Sequence, residues 1–288
     1  MQKTIAYQGV KGAYSEQACK SAYPDHLPIA CDTFQEAMWM AESGEADLAM
    51  IPLENSTAGR VEEIYRLIPK MKLHVIDEHF EPVTHCLLGT RNATRSTIET
   101  VASHPQALAQ CHNNITKLGY EAIAKLDTAG AAREIALLHD PAKAAIASKL
   151  AAEIYNLQIL QEHFEDIQGN TTRFFILSRH KSIPPYDTEK AYITSLLFQV
   201  RNIPAALYKA LGGFATNSIN LLKIESYMGH SQIEGSQFHV DIDGHIDAEP
   251  MRLALEELAF FADDLRILGC YASHRYRSEI TKDIKDAL

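Results

Sequence analysis

Residues 165–180 read EDIQGNTTRFFILSRH. The stretch passes from acidic and polar residues straight into an apolar run. Gly169-Asn170 supplies turn chemistry enough for a strand entrance. Thr171-Thr172-Arg173 nevertheless follow, carrying two hydroxyls and a guanidinium toward what reads as core. The stretch lies where the chain returns from a second α/β half to a first, and that return decides the fold.

Working outward, the upstream sequence alternates strand and helix. KTIAYQG reads as a first strand, with a glycine turn into the helix AYSEQACKSAY. DTFQEAMWMAESG has helical spacing, with Phe34, Ala37, Met38 and Ala41 on one side and Gly44 as stop. ADLAMIPL is a continuous apolar run of the kind a buried parallel strand shows. STAGRVEEIYRLIP is the next helix, and KLHVIDEHFEPVTHCLLG contains extended segments. From TIETVASH to KLAAEIYN the alternation continues, predicting a doubly wound α/β architecture. Downstream, SRHKSIPPYDTEKAY is a charged, Pro-containing linker. Beyond it ITSLLFQV, PAALYKALGGFAT, INLLKIESYM, SQFHVDIDG, EPMRLALEELAFFADDL and RILGCYA spell βαββαβ, a ferredoxin-like unit.

The 288 residues suffice for a sizeable core and two domains. A net charge of −10 with no dense Lys/Arg run argues against nucleic acid or an anionic membrane as partner. Cys19, Cys31, Cys86, Cys111 and Cys270 form no CxxC and read as reduced core thiols of a cytoplasmic protein. The start MQKTIAYQGV has no signal-peptide core, and no segment is long and apolar enough to span a membrane.

In open α/β sheets ligands bind beyond the carboxyl ends of strands, where helix N-termini offer free N–H groups. Four junctions carry polar residues there. In YQGVKGAYSEQA, Gly9 and Gly12 permit close backbone approach and Ser15 is placed to cap; a plain turn explains it equally well. In IPLENSTAGRVEEI, Asn55 or Ser56 is an N-cap, and Glu54 beside them exceeds what a cap requires. In VASHPQALAQC, Ser103 and Gln106 have capping-box spacing, with His104 either a ligand contact or a helix-start residue. In KLDTAGAAREIA, Asp127 or Thr128 caps. At the opening stretch, Arg173 offers a rigid donor fork for a carboxylate. A salt bridge to Glu165 or Asp166 is the alternative, and the residues alone leave both open.

Taken together, GVKGAYSE, IPLENSTAG, SHPQALAQC, DTAGAA, AAIAS…AAEIY and EDIQGNTTRFFIL resemble the prephenate dehydratases, over nearly the whole chain. The tail, through ALYKALGGFATNSINLLKIES, resembles a regulatory ACT domain. The resemblance implies a two-lobed catalytic domain similar to type II periplasmic binding proteins over residues 1–182. One lobe would take about 1–78 and 166–182, the other about 79–165. A linker at 183–190, an ACT domain at 191–275 and a tail at 276–288 complete the expected organisation. No chorismate mutase segment precedes the first strand, so the resemblance is to the monofunctional enzymes.

The family converts prephenate to phenylpyruvate with loss of water and carbon dioxide, on the route to phenylalanine. Its essential threonine falls on Thr172. Its cleft residues fall on Glu54, Asn55, Ser56, His104, Gln106, Thr128, Asn170, Arg173 and Phe174. Aromatisation drives the elimination, so no cofactor and no metal is expected. On this reading Thr172 assists departure of the ring hydroxyl, and Arg173 holds a carboxylate. The ACT resemblance implies L-phenylalanine as inhibitor, bound at a subunit interface of a homodimer or homotetramer. The residues concerned are Ala205, Ala206, Leu207, Asn220, Leu221, Glu225 and Ser226. Two family motifs are altered: Pro204-Ala205-Ala206-Leu207 has Ala where the family has Gly, and Glu225-Ser226-Tyr227-Met228 lacks the family's Arg-Pro. Rival readings are an arogenate dehydratase, acting on the amino-acid analogue of prephenate, a non-catalytic ligand receptor, and a purely amino-acid-sensing ACT protein.

Overall fold

A computed structural model of the chain describes residues 2–227 and 236–279. Met228 of the altered second ACT motif and residues 280–288 of the expected tail lie outside them. The chain forms two compact units, Met1–Ile64 with His79–Phe174, and Tyr65–Glu78 with Phe175–Leu288.

The chain opens with β1 (Thr4–Gln8), α1 (Tyr14–Ala22), β2 (Leu27–Cys31), α2 (Phe34–Ser43) and β3 (Leu48–Asn55). β1 pairs in parallel with both β2 and β3, as βαβ crossovers require. α2 starts where Thr33 accepts a hydrogen bond from Glu36 N at 3.1 Å and ends at Gly44, whose φ of 91° is left-handed. β3 is buried from Leu48 to Leu53, so both its faces are covered.

At Asn55 the structure departs from expectation. Neither Asn55 nor Ser56 caps a helix. β3 runs through Asn55, turns, and returns as β4 (Gly59–Arg60), with Asn55 opposite Gly59. Asn55 Oδ1 accepts from the backbone N–H groups of Thr57 (3.1 Å) and Ala58 (2.9 Å). This Asx turn competes with helix initiation at the same residue type. The helix, α3 (Glu62–Leu67), starts later, and β5 (His74–Pro82) follows.

The second lobe contains β6 (Cys86–Gly89), β7 (Thr100–Ser103), α4 (Pro105–Gln110), α5 (His112–Leu118), β8 (Glu121–Ala124), α6 (Thr128–Leu138), β9 (Lys143–Ala147), α7 (Lys149–Tyr155) and β10 (Gln158–Gln161). Its sheet has the order β10-β6-β9-β7-β8. Ser103 is not the cap of α4. As the last residue of β7 it is wholly buried and donates to Ile146 O at 2.6 Å, so His104 takes the N-cap position.

β11 (Thr171–Ser178) then returns to the first sheet, whose order is β2-β1-β3-β11-β5 with β4 on β3. The returning strand therefore lies between β3 and β5. That insertion is what two crossings between lobes demand, and it brings 170–174 beside Asn55.

The second unit holds β12 (Tyr192–Val200), α8 (Ala206–Thr216), β13 (Leu221–Tyr227), β14 (Gln237–Asp243), α9 (Glu249–Phe261) and β15 (Ala262–Ala272). The sheet order β13-β14-β12-β15 is ferredoxin-like. Leu196, Phe198, Val240 and Ile242 of the sheet pack with Phe214 of α8 and Leu258 of α9 in one core. In the same unit Glu78, 1% exposed, receives both arms of the Arg277 guanidinium at 2.7 and 2.8 Å.

All five cysteines are buried and none is in a disulfide. Among the described residues no helix is long and apolar enough to cross a membrane.

Candidate active site

A cavity of about 490 Å³ lies within the first unit, lined from both lobes. The first lobe contributes Gln8, Gly9, Tyr14, Ser15, Phe34, Pro52, Asn55 and Val61; the second contributes His104, Gln106, Gln110, Asp127 and Thr128. The return segment adds Asn170, Thr172 and Phe174. Of the residues picked from sequence, Asn55, His104, Gln106, Thr128, Asn170, Thr172 and Phe174 therefore meet in one cavity.

Glu54, Ser56 and Arg173 do not line it. In a strand successive side chains point to opposite faces. Asn170, Thr172 and Phe174 share the cavity face, so Arg173 between them does not. Its guanidinium is 2% exposed, donates to Glu54 Oε1 at 3.1 Å, and lies 6.0 Å from the Phe80 ring centroid. The expected carboxylate clamp is thus an internal pair of a buried Arg173 with a part-exposed Glu54, rather than with Glu165 or Asp166. Ser56 also works behind the wall. Its N–H donates to Thr171 O at 2.9 Å and its Oγ accepts from Thr171 N at 3.0 Å, fixing the entrance of β11.

The hydrogen-bond directions in the cavity wall follow from the Asx turn. Backbone N–H groups can only donate, so the atom of Asn55 facing Thr57 N and Ala58 N is its oxygen. Its amide nitrogen therefore points the other way, donating to Asn170 Oδ1 at 2.7 Å and to Thr172 Oγ1 at 3.0 Å. Thr172 Oγ1 is an acceptor in that bond. Its own O–H has no recorded acceptor among the described residues and is left to the cavity.

The same logic runs on. Asn170 Nδ2 donates to Gln110 Oε1 at 3.2 Å, and Gln110 Nε2 donates to Thr57 Oγ1 at 2.6 Å. Gln110 Oε1 also faces His85 Nε2 at 2.7 Å, so that nitrogen carries the proton. Burial holds the His85 pKa below its ordinary value, against the Gln110 hydrogen bond and the Glu165 charge. His85 Nδ1 lies 2.7 Å from the Tyr14 hydroxyl, which donates to Thr84 O at 2.9 Å. One chain of hydrogen bonds thus runs Tyr14–His85–Gln110–Asn170–Asn55–Thr172, crossing between lobes twice.

Sequence reading missed Tyr14, His85 and Gln110. For Gln110 a signal existed, since it lies four residues after Gln106 on the same short helix. Nothing local to His85 marks it.

Helix starts supply the rest of the rim. α1 has Ala13 at its N-cap with no side-chain cap; Ser15, expected there, is instead the second residue of the helix and lines the cavity. α6 is capped by Asp127, whose Oδ1 accepts from Gly130 N at 2.6 Å. α4 is capped by His104, whose Nδ1 accepts from Gln106 N at 3.2 Å. The first β–α loop is clasped to α7. Ser148 Oγ donates to Gly12 O and Tyr155 O–H to Lys11 O, each at 2.6 Å. Gly12 has φ +89°, and a Cβ there would lie 2.9 Å from Ala151 Cα, so only glycine fits.

The candidate effector residues lie in the ferredoxin-like unit. Ala205 is the N-cap of α8 with φ 56°; Ala206, Leu207 and Leu221 pack on that unit's core. Asn220 O accepts from Asp243 N at 3.0 Å, Glu225 lies 3.7 Å from Lys223 Nζ, and Ser226 is exposed.

A two-lobed α/β cleft whose wall turns the Thr172 hydroxyl proton toward a cavity open to solvent is the arrangement of a small-molecule enzyme. A family profile described as prephenate dehydratase matches residues 5–182, and the chain belongs to that family of carbon–oxygen lyases. A bifunctional N-acyl-homoserine lactone acylase/prephenate dehydratase of Komagataeibacter europaeus is 43% identical over 277 residues, 96% of this chain and 98% of that protein. Arogenate dehydratase/prephenate dehydratase 1 of Arabidopsis thaliana is 39% identical, over 93% of this chain and 71% of that one. Among solved structures, a prephenate dehydratase of Arthrobacter aurescens in complex with L-Phe is 29% identical with a TM-score of 0.85, covering 94% of this chain and 90% of that one.

Proposed function

We propose that the chain catalyses the decarboxylating dehydration of prephenate to phenylpyruvate, with Thr172 as the hydrogen-bond donor to the departing hydroxyl. The observation that carries this reading is the direction of the Asn55–Thr172 bond. Asn55 Nδ2 occupies the acceptor side of Thr172 Oγ1 at 3.0 Å, so the threonine proton is held ready for an acceptor in the cavity.

In the reaction the bond between ring carbon and carboxylate breaks, and its electron pair enters the ring. The C–O bond on the opposite ring carbon breaks, and hydroxide leaves with that pair. Carbon dioxide and an aromatic ring result, and the hydroxide becomes water with a solvent proton. A threonine hydroxyl is too weak an acid to give up its proton, so Thr172 stabilises the oxygen as charge grows on it. The apolar wall of Phe174, Phe34, Val61, Val83 and Pro52 leaves a ring carboxylate poorly hydrated, which favours its loss as carbon dioxide. The side-chain carboxylate is held by neutral donors, the uncapped first turn of α1 and Ser15, in place of Arg173.

The test is Thr172→Val, with Thr171→Val beside it. Thr171 is 6% exposed and its hydroxyl donates to Gly169 O at 3.3 Å, away from the cavity. Thr172→Val is expected to lower kcat by roughly 100- to 1000-fold with little change in KM. Thr171→Val is expected to cost about 1 kcal/mol of stability and little activity. Equal losses in kcat at both positions would sink the assignment.

Regulation by L-phenylalanine at the ferredoxin-like unit, acting as an ACT domain, is part of the same proposal. The likeness to a structure that carries L-Phe supports it. Ala205, Ala206, Leu207, Asn220, Leu221, Glu225 and Ser226 are the residues proposed to contact it, in a homodimer or homotetramer. Calorimetric titration with L-phenylalanine, run beside activity and sedimentation measurements, checks binding, inhibition and assembly together.

A further inference from the structure

The runs AAIAS and AAEIY, residues 144–148 and 151–155, line no part of the cavity. Their last residues, Ser148 and Tyr155, nevertheless tie the second lobe to the loop that enters α1.

Ser148 is an N-cap that does more than cap. Its Oγ accepts from Ala151 N at 3.0 Å, which is all that the start of α7 requires. The side chain is wholly buried, so its own proton also needs an acceptor. It finds Gly12 O at 2.6 Å, 136 residues away in the first lobe. Tyr155 follows two helical turns later on the same face of α7. Its O–H donates to the neighbouring carbonyl, Lys11 O, at 2.6 Å. Ala151 lies between them on that face, and it is the residue that a Cβ on Gly12 would strike.

The other side of the loop is fixed from its own lobe. Gly12 N donates to Oε2 of the buried Glu16 at 2.7 Å. Tyr7 O–H donates to the same oxygen at 3.3 Å, and Lys20 Nζ lies 2.8 Å from Oε1. Gly12 is thus held at its N–H by the first lobe and at its C=O by the second. Ala13, the N-cap of α1, comes next, and then Tyr14 and Ser15, which line the cavity. The clasp therefore sets where the open N–H groups of α1 stand against the second lobe's wall.

We propose that Ser148 and Tyr155 are positioning residues for substrate binding. By fixing the carbonyls of Lys11 and Gly12, they hold the first turn of α1 where it receives the substrate's side-chain carboxylate. The proposal rests on the dehydratase reading above, in which that turn and Ser15 take the carboxylate. Neither Ser148 nor Tyr155 touches the substrate. Thr172 is set separately, because the bonds that orient Asn55 run to Thr57, Ala58 and Asn170. Loosening the clasp weakens the grip on substrate and transition state alike, which raises KM and leaves kcat.

Tyr155→Phe tests this by removing one hydroxyl and keeping the ring. Tyr120→Phe is its control. Tyr120 O–H also donates to a backbone carbonyl, Arg95 O at 2.7 Å, but both residues belong to the second lobe and neither lines the cavity. The full-length proteins are assayed with prephenate for kcat and KM, and melted in parallel. Tyr155→Phe is expected to raise KM roughly 3- to 10-fold, the scale of one hydrogen bond, with kcat within about twofold of wild type. Tyr120→Phe is expected to melt earlier and to leave both constants unchanged. Ser148→Ala leaves Gly12 O without its donor and α7 without its cap, and is expected to raise KM further in the same direction. If that variant does not fold, Tyr155→Phe alone decides. A Tyr155→Phe variant with wild-type KM overturns the positioning role and leaves the dehydratase reading standing. An equal rise in KM in Tyr120→Phe overturns it also, since lost stability would then suffice. No turnover of prephenate by the wild type overturns both readings.

Discussion

Asn55→Asp is the sharpest probe of how the site works, because it changes the direction of a hydrogen bond without changing shape. In the wild type Asn55 Oδ1 is tied to Thr57 N and Ala58 N, and Nδ2 donates to Thr172 Oγ1 and Asn170 Oδ1. The substitution keeps the first pair, so the turn between β3 and β4 survives. It replaces the donor with a carboxylate oxygen. Thr172 then turns its own O–H toward that oxygen at about the same 3.0 Å spacing, and the proton is withdrawn from the substrate. The 2.7 Å contact to Asn170 Oδ1 becomes oxygen against oxygen. Asn170 cannot relieve it by flipping, since its Nδ2 would leave Gln110 Oε1 and present an oxygen there instead. The stability cost is about 1–2 kcal/mol, one lost hydrogen bond plus a mispaired acceptor. The cost to catalysis is that of one lost transition-state donor, about 3–4 kcal/mol, or roughly 100- to 1000-fold in kcat. The assay is steady-state turnover of prephenate with thermal melting alongside. At pH near 4 the new carboxyl begins to protonate and can donate again, so the ratio of variant to wild-type activity rises on acidification. A variant that melts normally and keeps kcat within threefold of wild type would refute the argument that Asn55 directs the Thr172 proton.

The remaining predictions concern the other links. Thr172→Val should separate from Thr171→Val in kcat, as set out above. Ala205→Gly should raise stability by about 1 kcal/mol in denaturant titration, because Ala205 holds φ 56°, a region alanine occupies only with strain. A loss of stability there would mean the left-handed cap is not populated. Arg277→Ala should cost about 3–5 kcal/mol, because it strips both guanidinium bonds from a Glu78 that is 1% exposed. Melting within a degree or two of wild type would show that the pair is not buried in solution.

Much of the site was legible because its residues lie at strand ends and helix starts, where local chemistry marks them. ENS, HPQ, DT and NTTRF each bring at least one side chain into the cavity. Arg173 was also legible in principle. Once Thr172 faces the cavity, a two-residue period sends Arg173 to the other face. The turn at Asn55 was less accessible, since the same Asn-Ser pair caps helices and makes Asx turns, and only strand pairing with Gly59-Arg60 chose between them. His85 was beyond reach. Its role consists of partners 71 and 25 residues away in sequence, Tyr14 and Gln110.

The sequence by itself determined the alternation of strands and helices, the ferredoxin-like pattern after the linker, and the position of the threonine beside Asn170. Those follow from hydrophobic period, glycine placement and polar residues at element ends, all of which act over a few residues. Only the tertiary structure decided where the returning strand inserts, and hence that Asn55 and Thr172, 117 residues apart, share one hydrogen bond. It also decided which way that bond points. Bond direction is set by a chain of donors and acceptors drawn from both lobes, and ends at backbone N–H groups that can only donate.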